Sequence, residues 1–131
     1  MSYGKSITVA APFAETVQRV REELNAEGFG VLTEINVTAT LQEKLGEQME
    51  DYVILGACNP SLAHTALESD RDIGLLLPCN VIVRAAAGHT VVAALDPQIM
   101  VGLSDGTGLN QVADEAAARL DRALNRLTDS E

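Results

Sequence analysis

Apolar residues recur along this chain at two spacings, one typical of strands and one typical of helices. Ile7 and Val9 alternate with polar neighbours and predict a short strand, and residues 29–37 continue this alternation over a longer segment. Between these strands, Pro12 suits the first turn of a helix. The apolar side chains after it recur every three or four residues and predict a helix with one buried stripe, formed by Phe13, Val17, Val20 and Leu24.

The middle of the chain predicts a short helix, a buried strand and a second helix. Residues 40–46 open with the spacing of a capping box and end in glycine, which predicts the short helix. Residues 52–57 are apolar on both faces, as in a strand that is covered on both sides, and they lead to Cys58. Asn59 can then cap a helix in which Pro60 takes the first position.

The last third predicts a hairpin and a long helix. Residues 74–83 and 91–95 form two strongly apolar runs around a turn at residues 87–89, so an antiparallel hairpin is expected. Pro78 lies inside the first run, and because proline cannot donate to a strand ladder, we expect an edge or a bulge there. A loop at residues 104–108 precedes an amphipathic helix whose apolar stripe is Leu109, Val112, Ala113, Ala116, Leu120, Ala123, Leu124 and Leu127.

The predicted element order, β-α-β-(α)-β-α-β-β-α, defines the expected fold class. It indicates an α+β fold with a mostly antiparallel sheet and helices on one face. With 131 residues and 47% hydrophobic content, the chain is long enough to bury a core without disulfides or a structural metal. We find no repeat and no linker, so residues 1–131 are predicted to form a single domain.

Composition and charge argue against several functions. Nineteen acidic against nine basic residues give a formal charge of −10, which repels phosphate backbones, so no nucleic acid partner is expected. The sequence has neither a leader pattern nor an apolar stretch of about 18 residues, so we expect no secretory signal, no membrane span and a cytoplasmic location. In that compartment thiols are usually reduced, so free, ligating or transiently oxidised cysteines are expected instead of a permanent disulfide.

Two Cys-Asn pairs, Cys58-Asn59 and Cys79-Asn80, hold the only cysteines of the chain. The helix after the first pair should return the chain beside the strand that it left, so we expect the two thiols on neighbouring strands. With the asparagines as neutral donors beside them, the four residues form a candidate site for a small polar ligand. The competing interpretation is that the cysteines are small buried filler and that the asparagines serve in a helix cap and a turn.

Two kinds of chemistry would use the thiols. Two thiolates suit a soft metal ion such as Cu(I) or zinc, with His64 or Met100 as a third ligand, although an exposed helix position explains His64 better than ligation does. In the other chemistry, thiol redox or sulfur transfer, the helix that follows Cys58 would favour its thiolate as the nucleophile, and Cys79 would be the resolving thiol. Their spacing of 21 residues matches neither a zinc ribbon nor a redox Cys-x-x-Cys motif.

The segments around both cysteines resemble a known family. Residues 54–60 (ILGACNP) and 73–81 (IGLLLPCNV) are similar to the signature of the bacterial and archaeal family called domain of unknown function 302, and residues 40–46 resemble its threonine-leucine…lysine-leucine-glycine segment. The resemblance implies a fold like that of the TATA-binding protein and no established activity. It singles out Lys44, which would counter a ligand carboxylate or simply be solvated. Asn36 stands where the family often has an acid, which weakens a metal site built on a carboxylate there.

Three functions remain open from the sequence. The first is a small binding module, in a homodimer, whose site gathers Cys58, Asn59, Cys79 and Asn80, with Lys44, for a soft metal ion or a small polar ligand. The dimer is expected because helices that cover one face of the sheet leave the other face exposed. The second is a thiol-dependent redox or sulfur-transfer enzyme, and the third is a partner-binding domain whose cysteines are filler.

Overall fold

The computed structural model describes residues 3–104 and 108–129. Its strands are β1 (Gly4–Val9), β2 (Gly30–Asn36), β3 (Tyr52–Cys58), β4 (Cys79–Ala86) and β5 (His89–Leu95). Its α-helices are α1 (Phe13–Ala26), α2 (Val37–Leu45), α3 (Pro60–Ser69), α4 (Gln98–Leu103) and α5 (Leu109–Asp129), and a 3₁₀ helix spans Arg71–Leu76.

The strands form one sheet in the order β1-β5-β4-β3-β2, and every neighbouring pair is antiparallel. The predicted α+β class with an antiparallel sheet is therefore confirmed, as is the β4–β5 hairpin. In the centre of the sheet, β3 pairs with β4 so that Ala57 lies opposite Cys79. Because the two strands are antiparallel, the end of β3 and the start of β4 lie at the same end of the sheet.

One face of the sheet packs against α1 and α5 and forms the main core. The stripe predicted for α1 supplies Val20 and Leu24, and each fully buried aliphatic side chain of this kind contributes about 1.5–3 kcal/mol. Successive side chains of a strand point to opposite faces, so alternate strand residues enter this core. They are Val9, Val53, Leu55, Ala57, Val81, Val83, Val92 and Ala94, and α5 adds Ala116, Leu120, Ala123, Leu124 and Leu127.

The strand positions that point away from this core form what we call the second face of the sheet. Residues paired across antiparallel strands share a face, and the register links Ile54 to Ile82 and Ile82 to Ala93. Among the described strands, no Asp or Glu occupies this face. Its members are Gly4, Ser6, Thr8, Gly30, Thr33, Ile35, Tyr52, Ile54, Gly56, Cys58, Asn80, Ile82, Arg84, Ala86, His89, Val91, Ala93 and Leu95.

A second, smaller core joins the elements near the end of β3. It consists of Ala66 from α3, Ile73 from the 3₁₀ helix, Met100 from α4, and Leu109 and Val112 from the start of α5. These elements come from three separate segments of the chain. Their packing carries α4 towards the cysteines.

The prediction that a strand starts at residue 74 is wrong. The 3₁₀ helix takes up its first residues, and β4 begins only at Cys79, so Pro78 precedes the strand and needs no bulge within it. The reason is local: the Asp70 carboxylate accepts a hydrogen bond from the Asp72 amide at 3.0 Å and starts the 3₁₀ helix. An irregularity in strand pairing lies instead in β2, between Val31 and Thr33.

The predicted start of α2 also needs correction. The helix begins at Val37, because the Asn36 side chain caps it by accepting a hydrogen bond from the Ala39 amide at 2.9 Å. It ends as predicted at Gly46, whose positive φ of 68° favours glycine. The short helix α4 was not predicted, since six residues are too few for a clear stripe, and the predicted loop at residues 104–108 lies partly outside the described residues.

Candidate functional site

Cys58 and Asn59 lie at the junction where β3 ends and α3 begins. The Asn59 side-chain oxygen accepts a hydrogen bond from the Leu62 amide at 3.2 Å, so its predicted role as helix cap is confirmed. The residue is only 8% exposed. The cap therefore orients α3 so that its N-terminal end lies directly after the first thiol.

Cys79 opens β4 beside that junction, so the two cysteines lie on neighbouring strands, as predicted. Since Ala57 pairs with Cys79 and Cys58 is the next residue, the two cysteines are close along adjacent strands, but strand alternation assigns the Cys58 side chain to the face opposite Cys79. The usual spacing within and between strands places their α-carbons about 6 Å apart. Both cysteines are free thiols.

The two cysteines line one small cavity of about 30 Å³. Asn59 and Met100 also line it, and the rest of its wall is apolar: Phe29, Ala57, Leu62, Ala63, Ala66, Leu77, Val112 and Ala116. About 10–15 Å³ of such space is enough for one water molecule. The cavity can therefore hold small guests, such as water molecules or a metal ion, but it is much smaller than a typical pocket for an organic ligand.

Burial makes ionisation of Cys79 costly. The residue is 8% exposed, and desolvation, with a smaller contribution from the charge of Cys58, raises the pKa of the Cys79 thiol to about 11. At neutral pH Cys79 is therefore a neutral thiol. A thiolate at this position needs a cation beside it.

The structure does not bring Asn80 into this cavity. Successive strand residues point to opposite faces, so Cys79 faces the helices, whereas Asn80 is exposed on the second face. There Asn80 lines a separate open hollow of about 300 Å³ together with Tyr3, Tyr52, Ile82 and Leu95. The four residues proposed as one site are therefore divided between the two faces of the sheet.

His64 and Lys44 also lie outside the cavity wall. The His64 side chain is 77% exposed on α3, and its Nε2 lies 3.4 Å from the Glu68 carboxylate. This position fits the exposed-helix interpretation of His64. Lys44 is exposed in the last turn of α2, and its role in ligand binding stays a prediction.

Sequence reasoning missed most of the apolar wall. Phe29 reaches the cavity from the start of β2, Leu77 from the residues before β4, and Val112 from the start of α5. No local pattern links these positions, because each reads as an ordinary core residue of its own element. Only the packing of the elements brings them together with the two cysteine residues around one cavity.

Two kinds of feature are absent from residues 3–104 and 108–129. In this part of the chain, no three His, Cys, Asp or Glu side chains stand together in a way that could hold a metal ion. None of the described helices has the length and apolar character needed to cross a membrane.

The fold and the cavity define a small α+β protein in which one sheet face is packed by helices and two thiols lie at one end of the sheet. The family model described as "Domain of unknown function DUF302" matches residues 5–127. The crystal structure of an uncharacterized conserved DUF302 protein from Bacillus stearothermophilus is similar, with a TM-score of 0.89 and 33% identity over 97% of this chain and 99% of that chain. The chain belongs to the DUF302 family. Comparison with curated proteins gives no match.

Proposed function

We propose that this protein is a small binding module that holds one soft metal ion between Cys58 and Cys79. The observation that carries this proposal is that both cysteine residues line the same cavity of about 30 Å³. Pockets for organic ligands usually have volumes of about 300–1,000 Å³, so this cavity favours a single ion over the small polar ligand that the sequence also allowed. Thiolates are preferred ligands of soft metal ions.

The local electrostatics support a cation at this position. Burial and a neighbouring thiol raise the pKa of Cys79 to about 11, and a bound cation would offset both effects. The N-terminal end of α3 lies next to Cys58, where its partial positive charge would stabilise the excess negative charge of a bis-thiolate site. Binding would release the protons of both thiols.

Metal titration of the reduced protein under anaerobic conditions tests this proposal. With Cd(II) and Cu(I) as probes and native mass spectrometry as the readout, we expect one bound ion per chain. Cys58→Ser and Cys79→Ser should each lose it, and the matched control His64→Ala should keep it, because His64 lies outside the cavity wall.

Other outcomes would replace the proposal. A wild-type protein that retains no ion would contradict it. In a second experiment, glutathione disulfide is added to the reduced protein. If the protein loses two hydrogens and the glutathione disulfide becomes two glutathione thiols, a Cys58–Cys79 disulfide has formed, and the thiol-redox alternative is favoured. If neither metal nor disulfide forms and both serine variants fold normally, the cysteines are core filler.

We also propose that the protein forms a homodimer through the second face of the sheet. A chain with a net charge of −10 repels its own copies, so self-association requires a surface without acidic residues. The strand positions of the second face provide such a surface: Ile35, Ile54, Ile82 and Leu95 are apolar, and Arg84 is its only permanently charged side chain. Apolar sheet surface of this kind is typical of interfaces.

Sedimentation equilibrium of two matched variants tests the dimer. Ile82→Glu places a carboxylate in the middle of the second face and should give a monomer. Leu75→Glu is the control, because Leu75 is 87% exposed in the 3₁₀ helix, and it should remain dimeric like the wild type. A wild-type monomer at about 100 μM, well above the Kd of a stable dimer, or a dimeric Ile82→Glu, would contradict the proposal.

A further inference from the structure

We propose that the open hollow of about 300 Å³ on the second face of the sheet binds a small aromatic carboxylate, and that Arg84 recognises its negative charge. The hollow shares no lining residue with the cavity beside the two cysteines, so this site is separate from the proposed metal site. Each chain contains a complete hollow, and a second copy on the second face would enclose the ligand. The site therefore requires neither the metal ion nor the dimer.

The hollow results from small residues that lie among larger ones. Gly4 on β1 and Ala93 on β5 leave space above the sheet, because glycine has no side chain and alanine has only a methyl group. The larger residues around them are Tyr3, Tyr52, Asn80, Ile82 and Leu95. A volume of about 300 Å³ is at the lower end of the range for pockets that bind organic ligands. The hollow therefore suits a compact organic molecule.

The lining of the hollow favours an aromatic ring. Both tyrosines of the chain border it, although aromatic residues make up only 3% of the sequence. Tyr3 precedes β1 and Tyr52 begins β3, so the two residues lie on opposite sides of the floor that β5 and β4 form between those strands. Ile82 and Ala93 make this floor apolar. Contacts between aromatic rings add to the free energy gained from burying apolar area, so a flat ring fits this position.

The wall of the hollow also offers three neutral polar groups. Within the described part of the chain, the side chains of Tyr3, Tyr52 and Asn80 make no hydrogen bond to another residue. A phenol group donates or accepts a hydrogen bond, and the asparagine amide does both. These groups can therefore bind a polar substituent of the ligand. Asn80, which the sequence grouped with the cysteines, has this role on the second face instead.

Arg84 supplies a positive charge beside the hollow. It is half-buried in β4, the central strand, where it lies opposite Tyr52 and two residues after Ile82, so it shares their face of the sheet. Most other basic side chains contact a carboxylate, namely those of Lys5, Arg21, Arg71, Arg119, Arg122 and Arg126. Among the described residues, no carboxylate contacts Arg84.

This position of Arg84 favours an anionic ligand. No Asp or Glu occupies the second face among the described strands, so the local charge is positive although the chain has a net charge of −10. The guanidinium group binds a carboxylate through two parallel hydrogen bonds, and such charged hydrogen bonds are stronger than neutral ones. A carboxylate on the ring would therefore supply the partner that the chain itself does not give to Arg84.

Titration with 3-phenylpropanoate, followed in ¹H–¹⁵N NMR spectra at a fixed protein concentration, tests this proposal. We expect saturable binding with a Kd of about 1 mM or below. The chemical shift changes should concentrate at Gly4, Asn80, Ala93 and Leu95. The neutral amide, 3-phenylpropanamide, has nearly the same shape without the charge, so it should bind the wild type at least about tenfold more weakly.

A matched pair of variants assigns this preference to Arg84. Arg84→Gln should bind the carboxylate at least about tenfold more weakly than the wild type and bind the amide equally well, because only the carboxylate uses the guanidinium charge. Arg71→Gln removes the same charge from the 3₁₀ helix, where the Arg71 side chain is 77% exposed and outside the hollow. It should bind both compounds like the wild type.

Three outcomes would overturn the proposal. They are the absence of saturable carboxylate binding by the wild type, chemical shift changes centred away from the hollow, and equal affinity of the wild type for the carboxylate and the amide. The last comparison uses the wild type alone, so it holds even if Arg84→Gln does not fold. A preference for the carboxylate that persists in a folded Arg84→Gln would overturn the role of Arg84.

Discussion

At the scale of single residues, Cys58 and Cys79 differ in their access to solvent, and burial raises the pKa of Cys79. Cys58 is half-buried at the end of β3, whereas Cys79 is 8% exposed and its pKa is raised to about 11. Since the thiolate is the reactive form, we expect iodoacetamide at pH 8 to label Cys79 at least about tenfold more slowly than Cys58. Peptide mapping by mass spectrometry over time measures both rates.

Unfolded protein in urea is the control for this labelling experiment, because both thiols should then react at similar rates. Equal labelling in the folded protein, or faster labelling of Cys79, would contradict the buried position of Cys79. It would also reverse the nucleophile and resolving roles in the thiol-redox alternative.

Cys79 should also make the protein sensitive to alkali. Its folded pKa of about 11 lies above the ordinary value of 9.0, so the unfolded chain ionises this thiol first as pH rises. The stability contribution of the neutral thiol is thus complete below about pH 9 and is lost between about pH 9 and 11. A difference of two pKa units corresponds to about 3 kcal/mol.

Cys79→Ala removes the titrating thiol, so comparison with the wild type measures how much its ionisation changes the free energy of unfolding. We expect the variant to be less stable than the wild type at pH 8, and the gap in free energy of unfolding to narrow by about 3 kcal/mol as pH rises to 11. Urea unfolding at each pH measures the gap. If the free energy of unfolding falls with pH equally in both proteins, Cys79 ionises as easily in the folded protein as in the unfolded chain.

At the scale of elements, charged side chains hold the end of α1 against α5. Arg126 contacts the carboxylates of Glu23 at 2.6 Å and Glu27 at 2.7 Å, and Arg122 contacts Glu27 at 3.0 Å. The turn after Glu27 adjoins the cavity, since a Cβ on Gly28 would lie 3.0 Å from the Asn59 side-chain nitrogen. These contacts therefore help to hold one side of the candidate site in place.

Glu27 should contribute to stability only above acidic pH. Its hydrogen bond from Arg126 lowers the pKa of the Glu27 carboxyl, so this contribution is complete above the ordinary value of 4.5 and is lost as pH falls through the lowered folded pKa. Glu27→Gln should be less stable than the wild type at pH 7, and the gap should narrow as pH falls below about 4.5. Urea unfolding midpoints against pH measure it.

Glu22→Gln is the matched control for this experiment, because Glu22 is exposed on the same helix. Its urea unfolding midpoint should stay close to that of the wild type across the pH range. A constant gap between Glu27→Gln and the wild type would mean that the carboxylate charge of Glu27 does not contribute to the contact with α5.

At the scale of the whole molecule, the net charge leads to a prediction about nucleic acid binding. The family resemblance implied a fold like that of the TATA-binding protein, but the chain has a net charge of −10, and Arg84 is the only permanently charged residue on the second face. We expect no binding to duplex DNA tighter than the nonspecific range of about 10⁻⁴ to 10⁻⁶ M at physiological salt. Fluorescence anisotropy with a labelled duplex measures it, and a Kd below about 10⁻⁶ M would contradict the expectation.

Local sequence determined the elements whose signals are contained within one segment. The stripe of α1, the long stripe of α5, the hairpin of β4 and β5, and the cap at Asn59 all follow from periodicity or capping within a few residues. The sequence pattern was misleading where an apolar run and a helix cap competed. The apolar run before Cys79 predicts a strand, but the Asp70 cap directs the first part of that run into a 3₁₀ helix.

Only the tertiary structure decided which residues form the candidate site. The sequence predicts Cys58 and Cys79 on neighbouring strands, because a strand-helix-strand order constrains them. It does not show which face each side chain takes, and the register separates Cys79 from Cys58 and Asn80. Met100 lines the cavity because α4 packs against α3 and α5. Contacts between distant segments depend on the shape of the whole core, which no local pattern encodes.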